Sequence, residues 1–348
     1  MTEQTTAEPM HLVDRIPQMQ PEELLTGLVP PPHFANVSFD SYRPDPAQPS
    51  QAQARDQLQA FVDRKGGESG GFLAKLFGSG RSPSGGGIYL DGGYGVGKTH
   101  LLASSWHAHA KPAAFGTFVE YTNLVGALGF AQARERLSEM KLVCIDEFEL
   151  DDPGDTVLMS RLMRELTDAG VKIIATSNTL PGALGEGRFA AQDFLREIQA
   201  LAAQFTVYRI DGEDYRHRGL PTPPEPLSDD EVAARAHRRA AQHQVALDSF
   251  EGITTHLEKV HPSRYGKLLD GVAEVYWTGV APVSNQSVAL RLVALVDRMY
   301  DRNLPLVTSG VPLDDLFTEE MVTGGYRKKY LRCLSRLTAL AREGGERG

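Results

Sequence analysis

Cysteine is nearly missing from this sequence. The two present, Cys144 and Cys333, are too few for a disulfide framework or a cysteine-built metal site, and Cys144 lies inside an apolar, strand-like run. That usage fits a reducing cytoplasm. No apolar run approaches the ~20 residues a helix needs to span a bilayer, and the first residues lack the basic start and apolar core of a secretory signal. Membrane association would therefore come only indirectly, through a partner. Positive charge is also in deficit: 36 Lys and Arg stand against 45 Asp and Glu, a formal net charge of −9. An acidic average argues against a broad nucleic-acid binder, which needs a basic face to neutralise phosphates. The ten histidines are scattered without metal-ligand spacing, and His256 and His261 read as surface residues. There is no internal repeat. At 348 residues the chain has material for one large domain or two ordinary ones.

What the chain does have is glycine at one decisive place. Gly92-Gly93-Tyr94-Gly95-Val96-Gly97-Lys98-Thr99 fits the spacing G-x-x-x-x-G-K-[ST] without a gap. It is entered from the apolar run Ile88-Tyr89-Leu90 and left through a helix-like stretch that begins at His100. Glycines let the backbone fold back and aim successive N–H groups at one anion. Lys98 would reach the β- and γ-phosphates, Thr99 would place its hydroxyl on Mg²⁺, and the helix that follows would offer its positive end. The reading is a phosphate cradle for ATP with Mg²⁺, formed by residues 92–100.

A second run, Lys141 to Phe148, is apolar and ends in Asp146-Glu147, about fifty residues further on. Buried parallel strands read as continuous apolar runs, and their carboxyl ends are where α/β sheets place ligands. Asp146 is expected to hold the metal and Glu147 to orient the attacking water. Val171 to Asn178 is the next strand, and Asn178 at its tip is a candidate sensor of the γ-phosphate. The acids after Glu147 read as a solvated helix start.

The remaining pattern is an alternation of strands and helices, which predicts a parallel sheet flanked by helices. A helix capped by Ser50 is expected over Ser50 to Val62, and others over Ala131 to Leu137, Leu158 to Leu166 and Phe189 to Ala203, with strands at Thr117 to Tyr121 and Phe205 to Ile210. The glycine- and serine-rich stretch Gly66 to Gly87 reads as a surface loop. Three regions follow: an N-terminal arm over 1–33 with a short helix near Pro21 to Leu25, a P-loop core over 34–220, and a mixed α/β region with lid-like helices over 221–348. The last opens on a charged helix from Ser228 to Gln244 and contains a β-α-β unit made of Ala273 to Val280, Ser287 to Tyr300 and Leu304 to Ser309, before a closing helix over Tyr330 to Ala341.

With these motifs in this order, and with Asp214-Tyr215-Arg216, Leu292 to Asp297, Tyr300 and Ser335-Arg336-Leu337 behind them, the sequence resembles the ZapE-type cell division ATPases, a branch of the AAA+ fold with mitochondrial relatives. The resemblance runs from about Phe34 to Leu340. It implies a cytoplasmic ATPase at the division site that associates with the tubulin-like protein FtsZ and destabilises its polymers when ATP is present. It also implies a homo-oligomer completed by an arginine from a neighbouring subunit. The family carries a Gln-Arg pair before a Phe-Leu-Pro helix; here Ala190-Ala191-Gln192-Asp193 precede Phe194-Leu195, and Arg196 replaces the proline. Arg188 is consequently the first choice for that arginine and Arg196 the second. The family's paired arginine before the long apolar helix is reduced to Leu290-Arg291, which leaves Arg291 as a sensor-2 candidate. Two alternatives stay open: a DNA-associated AAA+ ATPase of the helicase-loader or initiator type, and a nucleotide-gated adaptor with negligible turnover.

Overall fold

The computed structural model describes residues 8–18, 20–64, 86–93, 95–149, 153–180, 184, 195–212 and 222–346. The chain divides into two compact units, one spanning Gln20–Arg218 and one made of Met1–Met19 together with Gly219–Gly348.

The first unit runs α1 (Pro21–Thr26), α2 (Pro49–Asp63), β1 (Gly87–Gly92), α3 (Lys98–Ala108), β2 (Ala113–Thr117), α4 (Phe118–Leu128), α5 (Phe130–Ser138), β3 (Leu142–Asp146), α6 (Pro153–Asp168), β4 (Lys172–Ser177), α7 (Leu195–Ala202) and β5 (Phe205–Ile210). Its five strands form one sheet in the order β2-β3-β4-β1-β5, all pairs parallel. Parallel neighbours need long crossovers, which the helices supply while covering both faces. Successive side chains accordingly enter two cores. Ile88, Leu90, Leu142, Cys144 and Ile174 join α2 and α3 in one, whereas Tyr89, Val143, Ile145, Ile173 and Ala175 join α4, α5 and α6 in the other. This order sets β1 beside β4, with Asp91 opposite Ser177, and β3 on the far side of β4. The carboxyl ends of β1, β3 and β4 thus lie along one edge.

Two local expectations differ from what the fold contains. The stretch Thr117 to Tyr121 is not a strand; β2 ends at Thr117 and α4 begins there. Thr117 caps the helix by accepting from the Glu120 amide at 3.3 Å, while the Glu120 carboxylate takes the Thr117 amide at 2.7 Å. This reciprocal cap outweighs the strand preference of the β-branched and aromatic residues. Phe118, Tyr121, Leu124 and Val125 then fall on one buried helical face. Ser50 does not cap α2 either. Pro49 opens the helix, and the Ser50 hydroxyl instead accepts from the Asp211 amide at 2.9 Å. The Gly66 to Gly87 loop falls almost wholly outside the described residues.

The second unit contains α8 (Asp229–Ala240), β6 (Val245–Ser249), α9 (Phe250–Lys259), α10 (Tyr265–Leu268), β7 (Glu274–Val280), α11 (Gln286–Asp301), β8 (Leu306–Gly310), α12 (Glu319–Thr323) and α13 (Arg327–Glu346). Its sheet is β6-β7-β8, parallel throughout, so the expected β-α-β unit is extended by one strand and helix that the periodicity did not reveal. Trp277 faces the larger core with Phe250, and Tyr276 faces the smaller one with Val232 and Ala236 of α8.

The residues expected to form one N-terminal arm divide between the two units. Met10 bridges in parallel to Ala246 at the edge of β6, Leu12 is fully buried, and the buried Asp248 carboxylate accepts from the Leu12 and Val13 amides at 3.0 and 3.2 Å. Leu28, by contrast, is buried in the first unit and its carbonyl accepts from the Phe115 amide. His256 is likewise no surface residue: its ring is buried and its Nε2 lies 2.7 Å from the Arg15 carbonyl. We expect Leu12→Ala to destabilise the second unit by about 2–5 kcal/mol, the cost of emptying a closed core position. Denaturation followed by Trp277 fluorescence in a Trp106→Phe background measures this, and an unchanged midpoint would exclude the N-terminal segment from that core.

Candidate functional site

The glycine loop links β1 to α3, and its glycines answer to different demands. Gly97, the residue before α3, sits at φ 86°, and a Cβ there would lie 2.5 Å from the Tyr42 ring. Gly95 is also left-handed at φ 79°. A Cβ on Gly92 would come within 2.6 Å of the Ile210 carbonyl oxygen, whereas Gly93 has open space around it. Two of these glycines therefore let the loop pack on its own floor, and Gly93 keeps the outer side clear. Tyr42 completes that floor by donating its hydroxyl to the Val96 carbonyl at 2.8 Å.

Lys98 and Thr99 open α3 and carry the loop's chemistry. Lys98 Nζ donates to the Gly92 carbonyl at 2.7 Å, the Gly93 carbonyl at 2.6 Å and Asn178 Oδ1 at 2.7 Å. Thr99 Oγ1 donates to the Asp146 carboxylate at 3.0 and 3.3 Å. The same carboxylate accepts from the Thr176 hydroxyl of β4. Asp146 is only 7% exposed, and burial pushes its pKa up, with the neighbouring Glu147 carboxylate adding to the rise. Thr176, Thr99 and Lys98 oppose that rise by stabilising the ionised form. The next residue, Glu147, adopts φ 52°. That is a left-handed conformation costing a side-chain-bearing residue about 1–3 kcal/mol, which persists only where the surroundings impose it. Here they do, since the Glu147 amide donates to Thr176 Oγ1 at 3.2 Å and the Phe148 amide to the Thr176 carbonyl at 2.7 Å. Phe148 is fully buried edge-on against Tyr89 and Phe118. A threonine hydroxyl beside a carboxylate is a set of hard oxygen donors of the kind Mg²⁺ takes, and the Lys98 cation stands next to it for phosphate.

Comparison with known proteins gives the family. The model of the AFG1-like ATPase family matches residues 19–228 and 220–344. The chain belongs to that family. It is therefore a nucleotide-binding, ATP-hydrolysing P-loop enzyme. Among curated relatives, it is 27% identical over 297 residues to the cell division protein ZapE of Escherichia coli K12, covering 74% of this chain and 78% of that protein. It is 32% identical over 92 residues to lactation elevated protein 1 homolog B of Danio rerio, covering 26% of this chain and 18% of that protein. Among solved structures, domain III of the Thermotoga maritima replication initiation protein DnaA is similar at 16% identity and a TM-score of 0.39, over 66% of this chain and 76% of that one.

In this AFG1-like ATPase, the fold brings Lys98, Thr99, Asp146, Glu147 and Asn178 to one edge of the sheet. Tyr94, Arg188 and Asp214-Tyr215-Arg216 lie outside the described residues. Arg196 is exposed on α7. The His100 side chain turns to the preceding segment, where Nε2 lies 2.9 Å from Ser41 Oγ and 3.2 Å from the Ser38 carbonyl. Arg291 belongs to the second unit and donates to the Leu257 and Val260 carbonyls at 3.0 and 3.2 Å, closing the end of α9. Within the second unit that is a helix-capping arrangement. Two residues with direct contacts to the site, Tyr42 and Thr176, have no role in the sequence reading, although Thr176 belongs to the Thr176-Ser177-Asn178 run. Thr176 precedes Asn178 by two positions, and that period of two, read along the expected strand Val171 to Asn178, is the available signal. Tyr42 had no comparable signal, because its contact spans 54 residues. Gly97→Ala should weaken nucleotide binding by about tenfold or more, since the substitution combines left-handed strain with collision on the Tyr42 ring. Calorimetric titration with an ATP analogue checks this; unaltered affinity would mean that the loop geometry does not govern binding.

Proposed function

We propose that this chain is a Mg²⁺-dependent ATPase of cell division that couples ATP turnover to the destabilisation of FtsZ polymers. The observation that carries the catalytic half is the convergence of Lys98, Thr99, Asp146, Glu147 and Asn178 on one sheet edge, joined by hydrogen bonds. The cellular half rests on the similarity to E. coli ZapE and on the ZapE-type motifs of the sequence.

In this reading Thr99 and Asp146 would hold Mg²⁺, and the ion, when bound, would supply positive charge against the phosphate oxygens. Lys98 exchanges its contacts with the Gly92 and Gly93 carbonyls and Asn178 for phosphate oxygens, because a polyphosphate is a stronger partner than a neutral amide. Asn178 then turns its amide to the γ-phosphate or the attacking water and reports which of the two is present. Glu147 accepts a hydrogen bond from that water and sets its line of attack; the water oxygen bonds to the γ-phosphorus as the bond to the bridging oxygen breaks, ADP keeps the electron pair, and the water's protons leave on the phosphate product. Arg188, or failing it Arg196, reaches a neighbouring subunit's site in a homo-oligomer and stabilises charge that grows in the transition state. The protein works in the cytoplasm at the division site. Among the described residues no helix is long and apolar enough to cross a membrane, so contact with the envelope would run through the partner.

Steady-state ATP turnover across a protein concentration series, with and without FtsZ polymers, tests both halves. Turnover per subunit should rise with concentration and again with FtsZ. Lys98→Ala should abolish it, and Glu147→Gln should keep nucleotide binding while lowering kcat by about 100-fold or more, the scale expected when a water-orienting group is removed. A Glu147→Gln variant as fast as wild type would refute the role given to Glu147, and indifference to FtsZ would point to another partner.

A further inference from the structure

The sheet pairing between β3 and β4 stops at Ile145 opposite Ala175. One residue later the chain leaves the ladder, and this is where both acids sit. Thr176 holds what the ladder has released, through three separate groups. Its carbonyl accepts from the Phe148 amide at 2.7 Å, its hydroxyl oxygen accepts from the Glu147 amide at 3.2 Å, and its hydroxyl proton goes to Asp146 Oδ1. On the other side Thr176 remains in register with Leu90 of β1, so the clamp is mounted on a central strand. It is also dry, at 1% exposure.

The polar residues at the end of β4 divide their work. The Ser177 hydroxyl accepts from the Thr179 amide at 3.1 Å and shapes the turn. Asn178 engages Lys98. The Thr176 side chain touches both acids, one by its carboxylate and one by its backbone. A hydroxyl is the smallest group that can donate and accept at once. Valine would fill the same volume in the same strand and could do neither.

We propose that Thr176 is a positioning residue for ATP hydrolysis, its hydroxyl setting the Asp146 carboxylate for the metal shared with Thr99 and holding the Glu147 amide so that the Glu147 carboxylate is aimed. This rests on the Mg²⁺-dependent ATPase reading above. The two acids differ in what they require. Asp146 needs the proton of the hydroxyl, so loss of Thr176 leaves a buried carboxylate with one hydroxyl donor fewer and free to rotate away from Thr99. Glu147 needs the oxygen, so the same loss releases a left-handed residue toward ordinary backbone geometry. Both effects act on catalysis and on metal-assisted binding. Neither touches the loop amides and Lys98, which hold phosphate without metal.

The test compares wild type, Thr176→Val and Thr176→Ser in the full chain by three readouts: affinity for a fluorescent, non-hydrolysable ATP analogue in EDTA and in Mg²⁺, the separate values of kcat and KM, and the thermal midpoint. Thr176→Val should keep its EDTA affinity within about twofold while losing about tenfold of the gain that Mg²⁺ brings. Its kcat should fall about 10- to 100-fold with a smaller change in KM, the scale of one hydrogen bond to a charged group. Thr176→Ser should recover to within about threefold of wild type. A Thr176→Val enzyme with wild-type kcat and an intact Mg²⁺ gain overturns the proposal. So does a loss that appears equally in EDTA, or a serine variant as impaired as valine, since each assigns the residue to packing. If wild type itself shows no Mg²⁺ gain and Lys98→Ala changes nothing, the ATPase reading fails first and takes the positioning role with it.

Discussion

The structure of the first unit depends on one buried carboxylate. Asp146 stands at the end of β3 with little access to water, and an isolated charge there would be strongly disfavoured. It is tolerated because hydroxyls from two different elements, Thr99 of α3 and Thr176 of β4, converge on its oxygens and the Lys98 cation lies close by. That requirement ties the glycine loop, the acid strand and the sensor strand into one arrangement. A site assembled in this way is pre-organised, because the groups that would meet phosphate and metal are already held by each other.

Sheet topology makes the convergence possible. In the order β2-β3-β4-β1-β5 the loop strand and the acid strand are not neighbours; β4 lies between them and contacts both. The polar residues at the tip of β4 therefore serve as the connection, Asn178 toward the lysine and Thr176 toward the acids. Parallel pairing puts all the carboxyl ends on one side, which is the general reason that ligands bind there in open α/β sheets.

The second unit shows how sequence marks of a family can be structural. Asp297 of α11 accepts from Arg332 Nη2 at 2.6 Å and from Arg336, both of α13, and the Arg336 guanidinium lies 5.0 Å over the Tyr300 ring. Asp297, Tyr300 and Arg336 carry part of the resemblance to the ZapE-type proteins. They meet one another at the seam between two long helices, and a half-buried ion pair there fixes how the helices pack. Arg291 belongs to the same kind of work, closing the end of α9. The N-terminal segment does too, for its backbone extends the sheet edge and Leu12 fills the core from some 235 residues away in sequence.

What the sequence determined by itself was whatever is written in local spacing. The G-x-x-x-x-G-K-T loop, the apolar run ending in Asp146-Glu147, the strand ending at Asn178 and the parallel α/β class were legible because glycine turns, buried strands and strand tips each leave a short-range pattern. Even there, local rules competed: the Thr117 and Glu120 cap turned an expected strand into α4, and Pro49 took the helix start from Ser50. It took the folded chain to show that Thr176 bonds Asp146 and the Glu147 amide, that Tyr42 forms the floor of Gly97, that His256 is buried, and that Met10 and Leu12 join the second unit. A hydrogen bond between distant segments leaves no periodicity in either of them. It exists only once the sheet order has set which strand ends lie side by side.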